Sequence, residues 1–198
     1  IDRVVVSTDD PDTAAAAREW CAEVVVRSAE LSGDPASSES ALLHALDYWE
    51  RFGIGVGILV FVQATSPFID PADLDAAIDR VRAGESDSVF SAVKSWGFLW
   101  RVGAAGATGV NHDARHRPRR QDRAPELLET GAFYVMDAAG FRRAQHRFFG
   151  QIGAALVPET HAIEIDTEQQ LVLASAIAQA LHPLHPQPYC CHNECCRH

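Results

Sequence analysis

The chain has 198 residues, of which 47% are hydrophobic and 22% charged, and its formal net charge is −10. That length and composition provide a real core and exclude both a disulfide-stapled miniprotein and a wholly disordered chain. The acidic balance argues against a general nucleic-acid coat or a binder of anionic membranes, so any anion site has to come from basic residues gathered in one place.

Short apolar runs alternate with helical patterns along the chain. Arg3 to Thr8 is a β-branched run and predicts a strand. Thr13 to Cys21 is Ala-rich and helical, entered by Asp10-Pro11-Asp12, and Glu23 to Val26 is a second strand. Ser37 to Phe52 predicts a longer helix with Ala41, Leu42, Ala45, Leu46 and Trp49 on one face, capped by Ser37, Ser38 or Ser40. Gly57 to Val62 is fully apolar, as a strand covered on both faces of a parallel sheet would be, and is expected to be the central, most buried strand. Pro71 to Ala83 reads as a helix with Pro in its first turn and Gly84 beyond its end, followed by a strand over Asp87 to Val93. Gly103 to Gly109 is small and flexible in character, and Asn111 to Arg123 is a polar loop rich in Arg and His. Strand character returns at Gly131 to Met136 and at Ile152 to Val157, before an amphipathic helix over Glu168 to Leu181. Residues 182–198 are rich in Pro, Cys and His and are expected to be unstructured.

This order argues for βαβ units, an α/β fold and a mostly parallel sheet whose ligands lie at the carboxyl ends of the strands. The polar residues in those places are Ser7-Thr8-Asp9, Arg27, Gln63 to Pro67 and Lys94. The longest apolar run, Ile54 to Val62, is interrupted by Gly55 and Gly57 and is too short to span a membrane. No secretory leader is visible at the N-terminus. Five cysteines, four of them in the tail, make no disulfide framework, so a cytoplasmic location is the expectation.

Three features carry chemistry. Glu164 and Asp166 stand two apart on a segment that reads as a strand end, so their carboxylates face the same way and suit a hard cation such as Mg²⁺; the alternative is that Asp166 or Thr167 caps the next helix. The arginine-rich loop suits a phosphate or a sugar carboxylate, or else an acidic partner surface. Gln63, directly after an apolar strand, suits a ligand's hydroxyl or amide groups, or is an ordinary turn residue. The tail cysteines with His192 would give soft ligands for Zn²⁺, but their spacing lacks the second ligand pair of a zinc finger.

Together the residues resemble the N-acylneuraminate cytidylyltransferase family. Seven segments carry the resemblance in order: Val5-Val6-Ser7-Thr8-Asp9, Arg27-Ser28-Ala29-Glu30-Leu31, Asp34-Pro35-Ala36-Ser37-Ser38, Gln63-Ala64-Thr65-Ser66-Pro67, Arg117-Pro118-Arg119-Arg120-Gln121-Asp122, Glu129-Thr130-Gly131-Ala132-Phe133-Tyr134 and Glu164-Ile165-Asp166. The resemblance implies a nucleotidyltransferase (Rossmann-like) α/β sandwich over residues 1–181 with a small dimerisation insertion, and a homodimer. It implies a reaction of CTP with a nine-carbon 2-keto sugar acid, in which the anomeric hydroxyl attacks the α-phosphorus in line to give CMP-sialic acid and pyrophosphate. It implies that Asp166 holds Mg²⁺ with Glu164 beside it, and that Arg27, Ser38 and the Ala36 backbone line the cytidine pocket. Gln63 and Tyr134 are implied to face the sugar, with Arg119, Arg120 and Gln121 binding its carboxylate or reaching across the dimer.

The sequence departs from the family pattern in several places. The family's first strand and its Arg-Gly-Gly-Ser-Lys triphosphate loop are not among the 198 residues. Their absence implies a chain that is nearly silent in turnover, with a gap in its sheet that leaves neighbouring strand edges open. Pro35 stands for Thr and Ala64 for Pro. Leu128 stands where some bacterial members carry an arginine for the sugar acid. The alternatives are activation of a related acid (legionaminate, pseudaminate or ketodeoxyoctulosonate) and a non-catalytic nucleotide- or sugar-acid-binding protein.

Overall fold

A computed structural model of the chain describes residues 1–33 and 37–181; Ala36 and the tail of 182–198 lie outside the described residues. The elements are β1 (Val5–Thr8), α1 (Pro11–Glu19), β2 (Glu23–Val26), α2 (Ser38–Glu50), β3 (Ile58–Val62), α3 (Pro71–Arg82), β4 (Ser88–Ser95), β5 (Trp100–Gly103), β6 (Gly106–Gly109), β7 (Glu126–Asp137), α4 (Ala138–Ala144), β8 (Ile152–Leu156) and α5 (Glu168–Leu181). Asp-Pro dipeptides start α1 and α3: the Asp10 and Asp70 side chains accept from first-turn amides, while Pro11 and Pro71 occupy positions whose N–H would have no helical partner. Ser37 caps α2, accepting from the Ser40 amide.

The main sheet has the order β3-β7-β4-β8. β7 is antiparallel to β3 and β4, whereas β8 is parallel to β4, so β3, β4 and β8 share one direction and the sheet is mixed. β7 organises the core because its side chains alternate between faces. Phe133 and Val135 point to one layer with Leu74, Ala77, Ile78 and Val81 of α3. Tyr134 and Met136 point to the other with Leu46 of α2 and Phe141 of α4. The result is an α/β/α sandwich.

β1 and β2 form a separate parallel pair, which α2 adjoins. Among the described residues, β3 pairs only with β7 and β1 only with β2. The expectation that the Gly57 to Val62 run is the central, most buried strand is corrected. β3 is an edge strand of intermediate burial, and the deeply buried strands are β4 and β7. Its apolar character reflects helices on both faces, with Ile58 and Val60 toward α3 and Leu59 and Phe61 toward α2, and carries no information about the open edge. The Gly103 to Gly109 stretch, expected to be flexible, instead forms most of the β5–β6 hairpin.

A register shift between Phe90 and Ala92 interrupts the β4–β7 ladder. The Ser91 and Thr130 hydroxyls, 2.6 Å apart, fill it: the Ser91 hydroxyl accepts from the Phe133 amide and the Thr130 hydroxyl from the Ala132 amide. Both residues are buried. Ser91→Ala leaves the buried Phe133 N–H without a partner, while the Thr130 hydroxyl keeps the Ser91 carbonyl, and is expected to cost about 1–3 kcal/mol of stability by urea unfolding.

Candidate active site

Four clusters of expected site residues lie at strand ends or in the loops beyond them. The first follows β1 and β2. Arg27 N–H donates to the Thr8 carbonyl, and a terminal Arg27 nitrogen lies 3.5 Å from the Asp9 carboxylate. The Arg27 Nε and the Ser7 Oγ are buried and have no hydrogen-bond partner. Buried donors of this kind are costly unless something accepts from them. Ser38 is the first residue of α2 and is exposed.

The second cluster lies at the end of β3. Gln63 N–H donates to the Ala132 carbonyl, and its side-chain amide lies across Gly131. Gly131 has φ +74°, and a Cβ there would sit 3.4 Å from the Gln63 Oε1, so glycine lets this amide lie against the β7 bulge. Tyr134 is 3% exposed and stacks on Phe61 with ring centroids 5.8 Å apart. Its hydroxyl donates to Glu129. Burial and that carboxylate push the Tyr134 phenol up to about 12, so it is neutral at all physiological pH values. Arg147 lies over the same two rings and pairs with Glu39. Sequence reasoning missed Glu39 and Arg147 as site residues. Arg147 sits in no recognised segment and is 108 residues from its partner.

The third cluster is acidic. Glu164 and Asp166 do not lie on a strand end: β8 stops at Leu156, and both residues occupy an extended segment leading to α5. That segment is tied to the turn after β3, because Ile165 N–H donates to the Thr65 carbonyl at 2.9 Å. The Thr65 hydroxyl donates to Glu164 at 3.4 Å. The carboxylate pair is thus held beside the Gln63 turn by backbone pairing, not by a strand. Thr167 accepts from the Gln170 amide and caps α5, which leaves the exposed Asp166 carboxylate without a hydrogen-bond partner. Among the described residues no group of three or more potential ligand side chains converges, and the candidate donors on this segment are the Glu164 and Asp166 carboxylates. Such a set suits Mg²⁺, which keeps several waters and takes its remaining ligands from phosphate.

The fourth cluster is the arginine loop. Arg120 lies 3.9 Å over the Trp96 ring, while Arg117 and Arg123 flank Phe98 at 4.6 and 4.2 Å. Arg119 pairs with Asp122 at 2.8 Å. Arg117, Arg120 and Arg123 line a cavity of about 730 Å³ together with Lys94, Trp96 and Phe98. Gln121 lines a smaller neighbour of about 440 Å³. Neither cavity is lined by Gln63, Tyr134, Glu164 or Asp166, and the larger one reaches Leu128 of β7.

A family model described as Cytidylyltransferase matches residues 1–150 of the chain. The chain belongs to that family. It is 36% identical over 146 residues to an N-acylneuraminate cytidylyltransferase of Oncorhynchus mykiss, covering 72% of this chain and 33% of the relative. It is 24% identical over 188 residues to a pseudaminic acid cytidylyltransferase of Campylobacter jejuni, covering 91% and 80%. The chain spans about a third of the length of the fish relatives it matches. Among solved structures, CMP:2-keto-3-deoxy-manno-octonic acid synthetase complexed with CTP superposes with a TM-score of 0.64 at 14% identity, over 91% of this chain and 82% of the other. That likeness shows the nucleotidyltransferase fold.

Proposed function

We propose that this cytidylyltransferase joins CTP to a sialic acid, releasing pyrophosphate and CMP-sialic acid. The observation that carries the reading is the pairing of the Glu164–Asp166 segment with the Gln63 turn through Ile165 and Thr65, which sets two carboxylates beside an amide that can read a sugar. Phosphoryl chemistry of this class is mainly positioning and charge neutralisation, and a metal-bound carboxylate pair next to a hydroxyl-reading amide meets both needs. Asp166, with Glu164 beside it, would hold Mg²⁺, which would neutralise charge on the α-phosphate. Arg27 and Ser38 line the nucleoside side, with the Ala36 backbone near the base. Gln63 and the rim around Tyr134 receive the sugar acid.

The arginine loop fits this reading best across a homodimer, where Arg119, Arg120 and Gln121 of one chain serve the sugar carboxylate of the other. Two observations support that arrangement: the loop's cavities are lined by none of Gln63, Tyr134, Glu164 and Asp166, and Leu99, Trp100, Val102, Leu127 and Leu128 are exposed on the adjoining β5 and β7 arm. Among the described residues no helix is long and apolar enough to cross a membrane. A cytoplasmic location belongs to the same proposal. A second acid, pseudaminate, is the other reading, favoured by the Campylobacter relative that this chain matches over 80% of its length.

The sugar side is tested at Gln63. Gln63→Ala removes a polar contact from one substrate only, so it is expected to weaken the sugar acid roughly ten-fold and CTP hardly at all. Calorimetry with each substrate separately reads the split. Equal loss for both would remove Gln63 from the sugar pocket. Running the same titration with N-acetylneuraminic and pseudaminic acids decides between the two readings.

A further inference from the structure

We propose that Arg147 is the positioning residue that joins the two substrate segments of this site, fixing the first turn of α2 and the aromatic floor beneath the sugar acid in one geometry. The role rests on the assignment of Ser38 to the nucleoside side and of Gln63 and Tyr134 to the sugar side.

Arg147 lies in the loop between α4 and β8. Its Nε donates to Glu39 Oε1 at 2.8 Å, and the two side chains are only 15% and 14% exposed. Glu39 directly follows Ser38 in the first turn of α2. The same guanidinium lies 4.6 Å from the Tyr134 ring centroid and 5.3 Å from that of Phe61, the aromatic pair behind Gln63. Tyr134 in turn donates its hydroxyl to Glu129. A continuous chain of contacts therefore runs Glu39–Arg147–Tyr134–Glu129, from the nucleoside segment to the far end of the sugar segment.

The loop is shaped to hold the guanidinium there. Gln145, in the left-handed region at φ 52°, ends α4 and turns the chain back. Phe148 then packs edge-on to both Tyr134 and Phe90, at 6.0 and 5.7 Å. Burial disfavours the Glu39 carboxylate, but the Arg147 hydrogen bond, a backbone hydrogen bond and the Arg147 charge together outweigh it and keep Glu39 below the ordinary carboxylate range. A buried ion pair adds little net stability over apolar packing, so its consequence lies in the geometry it fixes. A planar guanidinium can bond a carboxylate at its edge while stacking on rings through its face, which a lysine ammonium cannot do.

The test has two arms, both on the 198-residue chain. In the first, NMR of ¹³C-labelled tyrosine follows the Tyr134 Cζ resonance, assigned with Tyr134→Phe. Arg147→Met is expected to move that resonance, and Arg147→Lys not to restore it. Glu39→Gln is expected to move it as well, although Glu39 bonds Arg147 and not the tyrosine. In the second, calorimetry with N-acetylneuraminic acid is expected to show about a ten-fold loss for Arg147→Met and for Tyr134→Phe, and no greater loss for the double variant, as residues acting in one network are non-additive. CTP affinity should change by less than about three-fold, a far smaller effect than the sugar loss. If Arg147→Met does not fold, Arg147→Gln takes its place in both arms. A Tyr134 resonance indifferent to Glu39→Gln, or a double variant that loses the product of the two single losses, overturns the role. If the unaltered chain binds neither CTP nor the sugar acid, the functional reading fails, and the tyrosine resonance alone decides whether Arg147 couples the segments.

Discussion

Asp166→Asn is expected to lower Mg²⁺-dependent pyrophosphate release from CTP on the order of 10²-fold, comparable to the loss of one preorganised electrostatic stabiliser. The substitution keeps shape and removes charge. The Asp166 side chain is exposed and its backbone N–H, bonded to Gln170 at 2.8 Å, is untouched, so the fold should be unaffected. The loss should appear chiefly in kcat, with a higher Mg²⁺ requirement, because the charge is needed most as it develops on the transferring phosphorus. Glu164→Gln should have a smaller effect, since Glu164 is partly engaged by Thr65. The assay is run on the chain carrying the family's strand and Arg-Gly-Gly-Ser-Lys loop upstream, since the 198-residue chain alone is expected to be nearly silent. Near-normal turnover of Asp166→Asn with unchanged metal dependence would remove this residue from the metal site.

Arg27→Ala should weaken CMP between roughly 10- and 150-fold, the range for hydrogen bonds to a charged group. Arg27 is partly buried, its Nε has no partner in the chain, and its contact with Asp9 is long at 3.5 Å. A cation so placed has already lost much of its hydration and recovers it only when a ligand accepts from it. The sugar acid alone should bind Arg27→Ala as it binds the unaltered chain. Comparable weakening of both would mean that the substitution disturbs the β1–β2 pair instead of a nucleoside contact.

The pH response carries the same physics. Glu39 has its carboxyl lowered from an ordinary value of 4.5, so its pairing with Arg147 contributes stability above that value and loses it as pH falls through the lowered value. Glu39→Gln should remove this part of the acid transition, visible as a flatter loss of thermal midpoint below about pH 4.5.

What the sequence made legible follows a physical line. Local signals were clear: Asp-Pro pairs mark α1 and α3, and β2 and α5 fall on the expected residues. Signals depending on neighbours were not. The apolar run at β3 is the same whether a strand is central or at an edge, because helices cover both faces in either case. The Gly103 to Gly109 part of the β5–β6 hairpin is Gly and Ala apart from Thr108, and its local preference reads as loop. α4 has only seven residues, too few for a helical period to emerge. At the site, short segments were readable as motifs, and the polar residues after β1, β2 and β3 lie where an α/β fold would use them. The Glu164–Asp166 strand end was not real; the spacing alone could not distinguish a strand from an extended segment pinned by Thr65. The Glu39–Arg147 pair was invisible because nothing local to either residue points to the other.

The most direct measurement is calorimetric titration of the 198-residue chain with CMP-sialic acid, a ligand that spans both proposed pockets and needs no triphosphate site. The account predicts saturable binding of one molecule per chain, weakened by Arg27→Ala and by Gln63→Ala through different halves of the ligand, with CMP competing and UMP competing far less. A folded chain that gives no binding heat, or binds CMP and UMP alike with neither substitution mattering, would contradict it.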